Sequence, residues 1–343
     1  MIKKKKVTFS DIAAYTHFSK TTISRYFNNR DSLTLENQKI IEQALIDLDY
    51  HENKLAKILA NGKTEYIGVI IPKLSMSFYS DLLSHLLSTY EKYGYKFLVF
   101  ESDSDINKER QYLKELLAYK IEGLIILSHL VPSSELASYN IPVVAIEREA
   151  DAINCINTDN YQGAVLAALH LIENQCEVMI TINAKTSDVN PDKERTHGFV
   201  DTCHQHNVPC IPFVEHLGKS FDETNQIFHN IFNTIEEQYK GKKKGIFLSN
   251  DNHANILLNI IYRKYGKLPA DYQLIGFDDS SISREAIIPI TTIQQQIPKM
   301  ADSAMSVLVD EMNERKKRVP HISNELHHEL ISPHLIVRQT TNH

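Results

Sequence analysis

The chain contains 343 residues, of which 42% are hydrophobic and 23% charged, and its formal net charge is −6 at pH 7. This composition excludes disordered and collagen-like chains, and the length predicts about two to three domains. No apolar run approaches the roughly 18 residues that a membrane span needs, and no apolar signal core follows the start. We therefore expect a cytoplasmic protein without a membrane partner, and four scattered cysteines fit a reducing compartment.

Charge is unevenly divided along the chain. Residues 1–62 carry ten basic and seven acidic side chains, a net charge of +3, which leaves −9 for the remainder. Such a basic segment on an acidic body is expected when only that segment contacts phosphate. A solvated basic tail remains the alternative for the run Lys3 to Lys6.

Residues 1–50 predict three short helices. Thr8-Phe9-Ser10-Asp11 has the form of a capping box, which marks the start of a helix. Ser19 caps a second helix, in which Ile23 and Phe27 face inward, and Thr34 begins a third. Their order predicts a helix-turn-helix unit. The outer surface of the second helix presents side chains that can donate to base edges and phosphates: Lys20, Thr21, Ser24 and Arg25.

These segments resemble the lactose/galactose repressor (LacI/GalR) family of bacterial transcription regulators. Val7 to Ala13 is similar to the family's opening, and Ser19 to Arg25 is similar to its recognition helix. Asn28, Tyr50 and the stretch Asn53 to Leu59 continue the likeness, whereas His17 stands where the family usually has glycine. The resemblance implies a sequence-specific DNA-binding regulator, a repressor, that binds double-stranded operator DNA as a homodimer.

The resemblance also implies which side chains contact DNA. Lys20, Thr21 and Arg25 would read bases in the major groove, while phosphate contacts position the helix. Residues 51–62 would form a hinge that becomes helical over the minor groove, where Leu59 inserts between base pairs. Besides the three base-reading side chains, the expected contacts are Thr8, Ser19, Thr22, Asn28, Asn53, Ala56 and Leu59.

From Tyr66 onward, short apolar runs alternate with amphipathic helical stretches, the pattern of parallel sheets covered by helices on both faces. We therefore predict an all-α helix-turn-helix head followed by an α/β body of two parallel-sheet subdomains. The predicted strands are Tyr66 to Ile71, Lys96 to Glu101, Gly123 to Leu127, Val143 to Ile146, Val178 to Ile182, Gly245 to Ser249 and Gln273 to Phe277. Helices are predicted over residues 78–93, 107–119, 161–173, 221–239 and 252–264.

Polar and aromatic side chains follow several of these strands, where α/β sheets bind ligands. Carboxylates, amides and guanidinium groups can form paired hydrogen bonds with vicinal hydroxyls, and aromatic rings can stack on a sugar. At each position a solvated or helix-capping side chain is the alternative. The candidates are Phe78, Tyr79, Glu147, Arg148, Asp159, Asn160, Arg195, Asn250, Asp251, Phe277, Asp278 and Asp279.

The family resemblance extends through the body. Arg195-Thr196-His197-Gly198-Phe199 looks like the family's Arg-x-x-Gly-Phe, and Gly276-Phe277-Asp278 looks like its Gly-Phe/Tyr-Asp. It implies a periplasmic-binding-protein-like effector domain over 63–343. The N-subdomain would span about 63–161 and 293–325, and the C-subdomain about 162–292 and 326–343. A small sugar or sugar derivative, acting as inducer or corepressor, would contact Phe78, Tyr79, Arg148, Asp159, Arg195, Asn250 and Asp278.

Other functions have weaker support in the sequence. No glycine-rich dinucleotide motif follows the first strand and no P-loop occurs, so no cofactor is expected. Cys203-His204-Gln205-His206 with Cys210 lacks the spacing of standard zinc fingers, so no metal is expected. No Gly-x-Ser-x-Gly elbow occurs, and an enzyme such as a hydrolase is not expected. A purine corepressor, control by a phosphorylated carrier protein, and a sugar-transport binding protein remain alternatives.

Overall fold

The computed structural model describes residues 7–51, 63–128, 130–185, 190–218, 220–317 and 325–341. Two compact units divide the chain, residues 1–63 and 64–343. The described part of the first unit is helical, and the second contains two six-stranded sheets flanked by helices. The expected all-α head and α/β body are therefore confirmed. Among the described residues, no helix combines the length and apolar character needed to cross a bilayer.

The described residues of the first unit form three α-helices: α1 (Phe9–Thr16), α2 (Lys20–Asn28) and α3 (Leu35–Asp47). The cap residues are those expected from the sequence. The backbone N–H of Thr8 donates to Asp11, the Ser19 hydroxyl accepts from the Thr22 N–H at 3.1 Å, and Thr34 caps α3. Buried apolar side chains from all three helices meet in one small core: Ile12, Ile23, Ile41 and Ala44.

The C-cap of helix α1 is His17, whose backbone has a left-handed conformation. His17 has φ 59°, ψ 18°, a conformation that glycine adopts without steric cost and other residues do not. The turn between α1 and α2 therefore has the geometry for which a glycine is suited, although the sequence places histidine there. The fold tolerates this departure because the caps and the shared core fix both helices.

The first sheet of the second unit contains β1 (Tyr66–Ile71), β2 (Lys96–Glu101), β3 (Gly123–Ile126), β4 (Val143–Ile146), β5 (Asn154–Thr158) and β11 (His328–Ile331). Their order is β11-β5-β4-β3-β1-β2, and every pair is parallel. Both faces are covered, and the inner strands β1, β3 and β4 are almost continuously apolar. The helices that lie between these strands in the sequence are α4 (Ser77–Ser88), α5 (Tyr90–Tyr93), α6 (Ile106–Ala118) and α7 (Ser133–Ser138).

The second sheet contains β6 (Val178–Ala184), β7 (Cys210–Glu215), β8 (Lys244–Leu248), β9 (Tyr272–Asp278), β10 (Thr291–Gln294) and β12 (His334–Ile336). Their order is β12-β10-β9-β8-β6-β7, and only β12 runs antiparallel to its neighbour. The remaining helices are α8 (Asn160–Glu173), α9 (Lys193–Gln205), α10 (Phe221–Gln238), α11 (Asp251–Tyr265), α12 (Ser281–Glu285) and α13 (Ile297–Arg315).

The chain crosses between the two sheets three times. It leaves the first sheet after Thr158, returns after Gln294 to form α13, which packs on the first sheet, and crosses again between Ile331 and His334. Strand β11 therefore lies in the first subdomain, whereas we assigned all of 326–343 to the second. The physical reason is its parallel pairing with β5, in which His328 lies opposite Cys155. The boundaries of head and hinge stay predictions.

Candidate functional site

The carboxyl ends of strands from both sheets meet around one buried guanidinium group. Arg195 lies in the first turns of α9, with 7% of the residue exposed. Its Nε donates to Asn160 Oδ1 at 2.6 Å, and its Nη1 donates to the backbone oxygen of Ser249. Its Cζ lies 3.6 Å from the centroid of the Phe277 ring. The guanidinium is thus fixed by α8, β8 and β9 together.

Glu147 brings the first sheet to this cluster. It follows β4 directly with φ 52°, and its Oε2 lies 3.7 Å from Arg195 Nη2. The same carboxylate accepts from the side chain of Asn160 at 3.1 Å and from the backbone N–H of Thr158. Glu147 and Arg195 therefore form a buried ion pair whose partners come from different subdomains.

Asp278 is the second carboxylate of the cluster. It ends β9 with φ 112°, is 6% exposed, and accepts from Gln295 Nε2 at 2.7 Å. Burial raises the pKa of Asp278 to about 7, opposed by the positive charge of Arg195 and the Gln295 hydrogen bond. The charge of Glu147 raises this pKa further. Asp278 can therefore act as an acceptor or, when protonated, as a donor near neutral pH.

Two aromatic side chains of α4 belong to the same region. The Phe78 and Tyr79 rings pack edge to face with centroids 5.4 Å apart, and Phe78 is buried against the first sheet. Burial raises the pKa of Tyr79, and the negative charges of Asp192, Glu147 and Asp278 raise it further. The Tyr79 hydroxyl therefore stays protonated near these carboxylates and can donate a hydrogen bond.

Asp251 holds the loop that follows Asp278. It is fully buried and accepts from the backbone N–H of Ser280 at 2.8 Å and from the Thr292 hydroxyl at 2.6 Å. Gly276 makes room for this carboxylate, because a Cβ at that position would overlap Asp251 Oδ1. Burial, followed by the charge of Asp278, raises the pKa of Asp251 well above its ordinary value. The motif Gly276-Phe277-Asp278 is therefore shaped by its contact with Asp251.

Arg148, which we expected to contact an effector, turns away from this cluster. Its two terminal nitrogens donate to the backbone oxygens of Ser128 and Val131, and 1% of the residue is exposed. Its Nε is buried without a hydrogen-bond partner among the described residues. Burial lowers the pKa of Arg148, and the negative charge of Glu109 opposes that effect. The structure thus brings Glu147, and not Arg148, to the group formed with Arg195 and Asp278 where the two sheets meet, which we call the cleft.

Two further expected contacts serve as helix caps. The Asp159 carboxylate accepts from the Gln162 N–H at 2.9 Å at the start of α8, and Asn160 beside it contacts Arg195. The Asn250 side-chain oxygen accepts from the His253 N–H at 2.9 Å at the start of α11. Asn250 still adjoins the cluster, because the preceding residue, Ser249, binds Arg195 through its backbone oxygen.

The expected DNA contacts in the head lie mostly on one exposed surface of α2 and its cap. Ser19 caps the helix, and Lys20, Thr21, Arg25 and Asn28 are exposed, whereas Thr22 is half-buried and hydrogen-bonded to Ser19 Oγ at 2.9 Å. Asn28 donates to Ser24 Oγ at 3.1 Å, and Thr8 is engaged in the cap of α1. Asn53, Ala56 and Leu59, expected in the hinge, lie outside the described residues.

Comparison with protein families decides the family of this chain. Residues 168–341, half of the chain, match a family described as a periplasmic binding protein-like domain. Residues 64–217 match the periplasmic binding proteins and sugar binding domain of the LacI family. The chain belongs to the LacI family. It is therefore a transcriptional regulator, as the head and body predicted, and the expectation that it is not an enzyme is confirmed by its relatives.

Similar proteins cover both head and body of this LacI-family chain. A ribose operon repressor from Halalkalibacterium halodurans is 27% identical over 335 residues, which are 97% of each chain. A solved lac repressor dimer bound to operator has a TM-score of 0.81 at 22% identity, covering 98% of this chain and 99% of that one. A LacI-type protein from Alkaliphilus metalliredigens in complex with D-xylulofuranose is 26% identical, with a TM-score of 0.69, over 80% of this chain and 98% of that one.

Residues that sequence reasoning missed connect the subdomains. Gln295 and Thr158 are buried between the cleft carboxylates, and Lys193 Nζ lies 3.1 Å from Glu149 across the cleft. Glu149 directly follows Arg148, and Lys193 lies two residues before Arg195. Their positions beside predicted site residues could therefore have identified them. No sequence signal indicated that Thr158 and Gln295 are in contact, because that contact depends on where two crossing segments meet.

Proposed function

We propose that this LacI-family regulator represses a carbohydrate-utilisation operon in the cytoplasm, and that a small uncharged sugar in the cleft controls its affinity for operator DNA. The observation that carries the proposal is the buried group of Glu147, Arg195 and Asp278 beside the face of Phe277. Neighbouring carboxylates and a guanidinium group offer the paired acceptors and donors that match the vicinal hydroxyls of a sugar ring. Phe277 is fully buried under Arg195 and supports its guanidinium group.

The charges in the cleft favour an uncharged sugar over a phosphorylated one. Glu147 lies within an ion-pair distance of Arg195 and offsets its positive charge, and the negative charges of Glu147, Asp278 and Asp192 act together on Tyr79. Lys193, which is partly exposed, is paired with Glu149. A phosphate group would meet these carboxylates in a buried environment of low dielectric, where like charges repel strongly.

We propose that the sugar contacts Tyr79, Glu147, Asn160, Arg195 and Asp278, with Phe78 as an apolar neighbour. Asn250 and Asp159 adjoin this group through Ser249 and Asn160. Arg148 is left out, since its guanidinium binds backbone oxygens elsewhere. The names of similar proteins, a ribose operon repressor and a D-xylulofuranose complex, support a sugar as the ligand class.

DNA binding is proposed to use the exposed surface of α2 in a homodimer, with Lys20, Thr21 and Arg25 reading bases. Ser19, Thr22 and Asn28 would position the helix on phosphates, and Thr8 would lie beside them. Two copies are needed because one recognition helix covers one half-site, and the two-fold symmetry of the dimer matches a near-palindromic operator. Within the hinge, Asn53, Ala56 and Leu59 stay predicted minor-groove contacts.

The test is a thermal-shift and calorimetric panel on the full-length protein. The panel contains D-ribose, D-xylulose, sucrose, ribose 5-phosphate, hypoxanthine and guanine, and each binder is then added to a mobility-shift assay with the promoter region of the protein's own gene. We expect an uncharged sugar to bind and to change operator affinity about 5- to 150-fold, the range of typical coupling free energies. Binding by a purine alone, or by a sugar phosphate in preference to its parent sugar, would contradict the proposal.

A further inference from the structure

The first of the three segments that cross between the sheets is hydrogen-bonded to each of the other two. The Thr158 hydroxyl, at the first crossing, donates to Gln295 Oε1, at the second, over 2.5 Å. The backbone N–H of Asp159 donates to the oxygen of Ile331, at the start of the third crossing, over 2.9 Å. A change in the angle between the subdomains must therefore be accommodated at these bonds.

The same two residues, Thr158 and Gln295, link the carboxylates of the cleft. Gln295 Nε2 donates to Asp278 of the C-subdomain at 2.7 Å, while the backbone N–H of Thr158 donates to Glu147 of the N-subdomain. One continuous hydrogen-bonded path therefore joins Glu147, Thr158, Gln295 and Asp278. Both ends of the path lie in the proposed sugar site, and its middle lies at the crossing segments.

The chemistry of its neighbours fixes the orientation of the Gln295 amide. The Asp278 carboxylate accepts from the amide nitrogen, which leaves the amide oxygen to accept from the Thr158 hydroxyl. Thr158 and Gln295 are 1% and 4% exposed, so solvent offers little substitute for either bond. Thr158 Oγ1 also lies 3.6 Å from Met300 Sδ in α13, the helix that packs on the first sheet. The path thus reaches the core of the N-subdomain.

We propose that Thr158 and Gln295 are positioning residues that couple occupancy of the cleft to the relative orientation of the two subdomains. This inference rests on the proposed function, since it takes the sugar to bind at Glu147 and Asp278. A sugar that forms hydrogen bonds with these carboxylates competes with or reinforces their bonds to Thr158 and Gln295. Binding therefore favours one arrangement of the crossing segments over another, which is the differential interaction that any ligand-driven change requires.

The inference predicts that a substitution can reduce the effect of sugar on operator affinity without changing the affinity for the sugar. Thr158→Val keeps the shape of the side chain and removes the hydroxyl, whereas Thr158→Ser keeps the hydroxyl. For each full-length variant, calorimetry gives the sugar Kd, and mobility shift gives the ratio of operator Kd values with and without sugar. The sugar is the tightest binder among D-ribose, D-xylulose and sucrose.

We expect Thr158→Val to keep the sugar Kd within about threefold and to reduce the operator ratio about fivefold, the fold-change that corresponds to one buried neutral hydrogen bond of about 1 kcal/mol. Thr158→Ser should retain the ratio of the wild type. Gln295→Met, which removes both bonds at similar length, should reduce the ratio at least as much. This second variant also serves if Thr158→Val fails to fold.

The outcomes distinguish the proposed function from the coupling role of Thr158 and Gln295. A wild-type ratio of one with all three sugars overturns the proposed function and, with it, the coupling role. If the wild type responds and both Thr158→Val and Gln295→Met respond equally well, the coupling role alone is wrong. A variant that loses sugar affinity but keeps the full operator ratio at saturating sugar shows that the residue only supports the binding site, which also overturns the inference.

Discussion

The guanidinium of Arg195 lies over the ring of Phe277, with its Cζ 3.6 Å from the ring centroid, while Asn160 and Ser249 accept hydrogen bonds from it. Arg195 thus joins the second sheet to the segment that leaves the first. A planar guanidinium group can pack on a ring and donate hydrogen bonds in several directions at once. Lysine cannot replace it, because its ammonium group is a compact point charge. The contact therefore predicts a strict requirement for arginine.

We expect Arg195→Lys to weaken sugar binding about 10- to 150-fold, the equivalent of about 1.5–3 kcal/mol for lost hydrogen bonds to a charged group. Calorimetry on the full-length protein measures the Kd. The matched control is Arg284→Lys, because the Arg284 side chain is 57% exposed near Asp279 and outside the cluster. An unchanged sugar Kd in Arg195→Lys would remove Arg195 from the proposed site.

The raised pKa of Asp278 predicts a pH-dependent stability. Its pKa is about 7 in the folded chain and about 3.9 in an unfolded one, so the protonated form is favoured by folding. The stabilisation from this group is complete below the unfolded pKa and is lost as pH rises through the folded pKa. Asp278→Asn, which stays neutral, should therefore gain Tm relative to the wild type between pH 5 and pH 8.

Scanning calorimetry of both proteins at half-unit steps of pH measures this difference. Asp302→Asn, at an exposed position of α13, provides the control and should show a constant difference from the wild type. If the Tm of Asp278→Asn differs from that of the wild type by the same amount at every pH in this range, the pKa of Asp278 is not raised in the folded protein.

Arg25 tests the DNA-binding surface. The side chain is exposed on α2, one turn beyond Thr21. We expect Arg25→Ala to cost about 1–3 kcal/mol of operator affinity and to relax base preference at one position of each half-site. Binding to a library of operator variants measures both effects. Lys39→Ala removes one charge from the exposed part of α3 and should leave base preference intact; an equal loss on every sequence would assign Arg25 to phosphate instead.

His17→Gly is expected to stabilise the head. A non-glycine residue at φ 59° carries a steric cost that glycine avoids, and such relief amounts to about 1 kcal/mol, less the greater freedom of glycine in the unfolded chain. Thermal unfolding of the full-length protein, followed through the tyrosines of the head, should show a higher midpoint for the head transition. Ala14→Gly, inside α1, should lower it. A lower midpoint for His17→Gly would show that the imidazole stabilises the turn.

The pattern of residues was sufficient to determine the class of fold and most of its elements. Capping residues such as Ser19 and Thr34 are local signals, and both cap the predicted helices. Strongly apolar strands such as Tyr66–Ile71 were also predicted with their bounds. The predicted strands lacked β5 and β7, because Asn154–Thr158 mixes polar and apolar residues and Cys210–Glu215 carries Pro212 in an edge strand. They also lacked β10, β11 and β12, which are only three or four residues long.

The sequence by itself determined that a basic helical head precedes two α/β units and that polar residues follow their strands, because capping, periodicity and charge are properties of neighbouring residues. Only the tertiary structure decided that Glu147 enters the cleft while Arg148 turns to the backbone oxygens of Ser128 and Val131. It also placed Gln295 between Thr158 and Asp278. Adjacent side chains at a strand end can point in opposite directions, and residues 137 positions apart meet only when both crossings are formed.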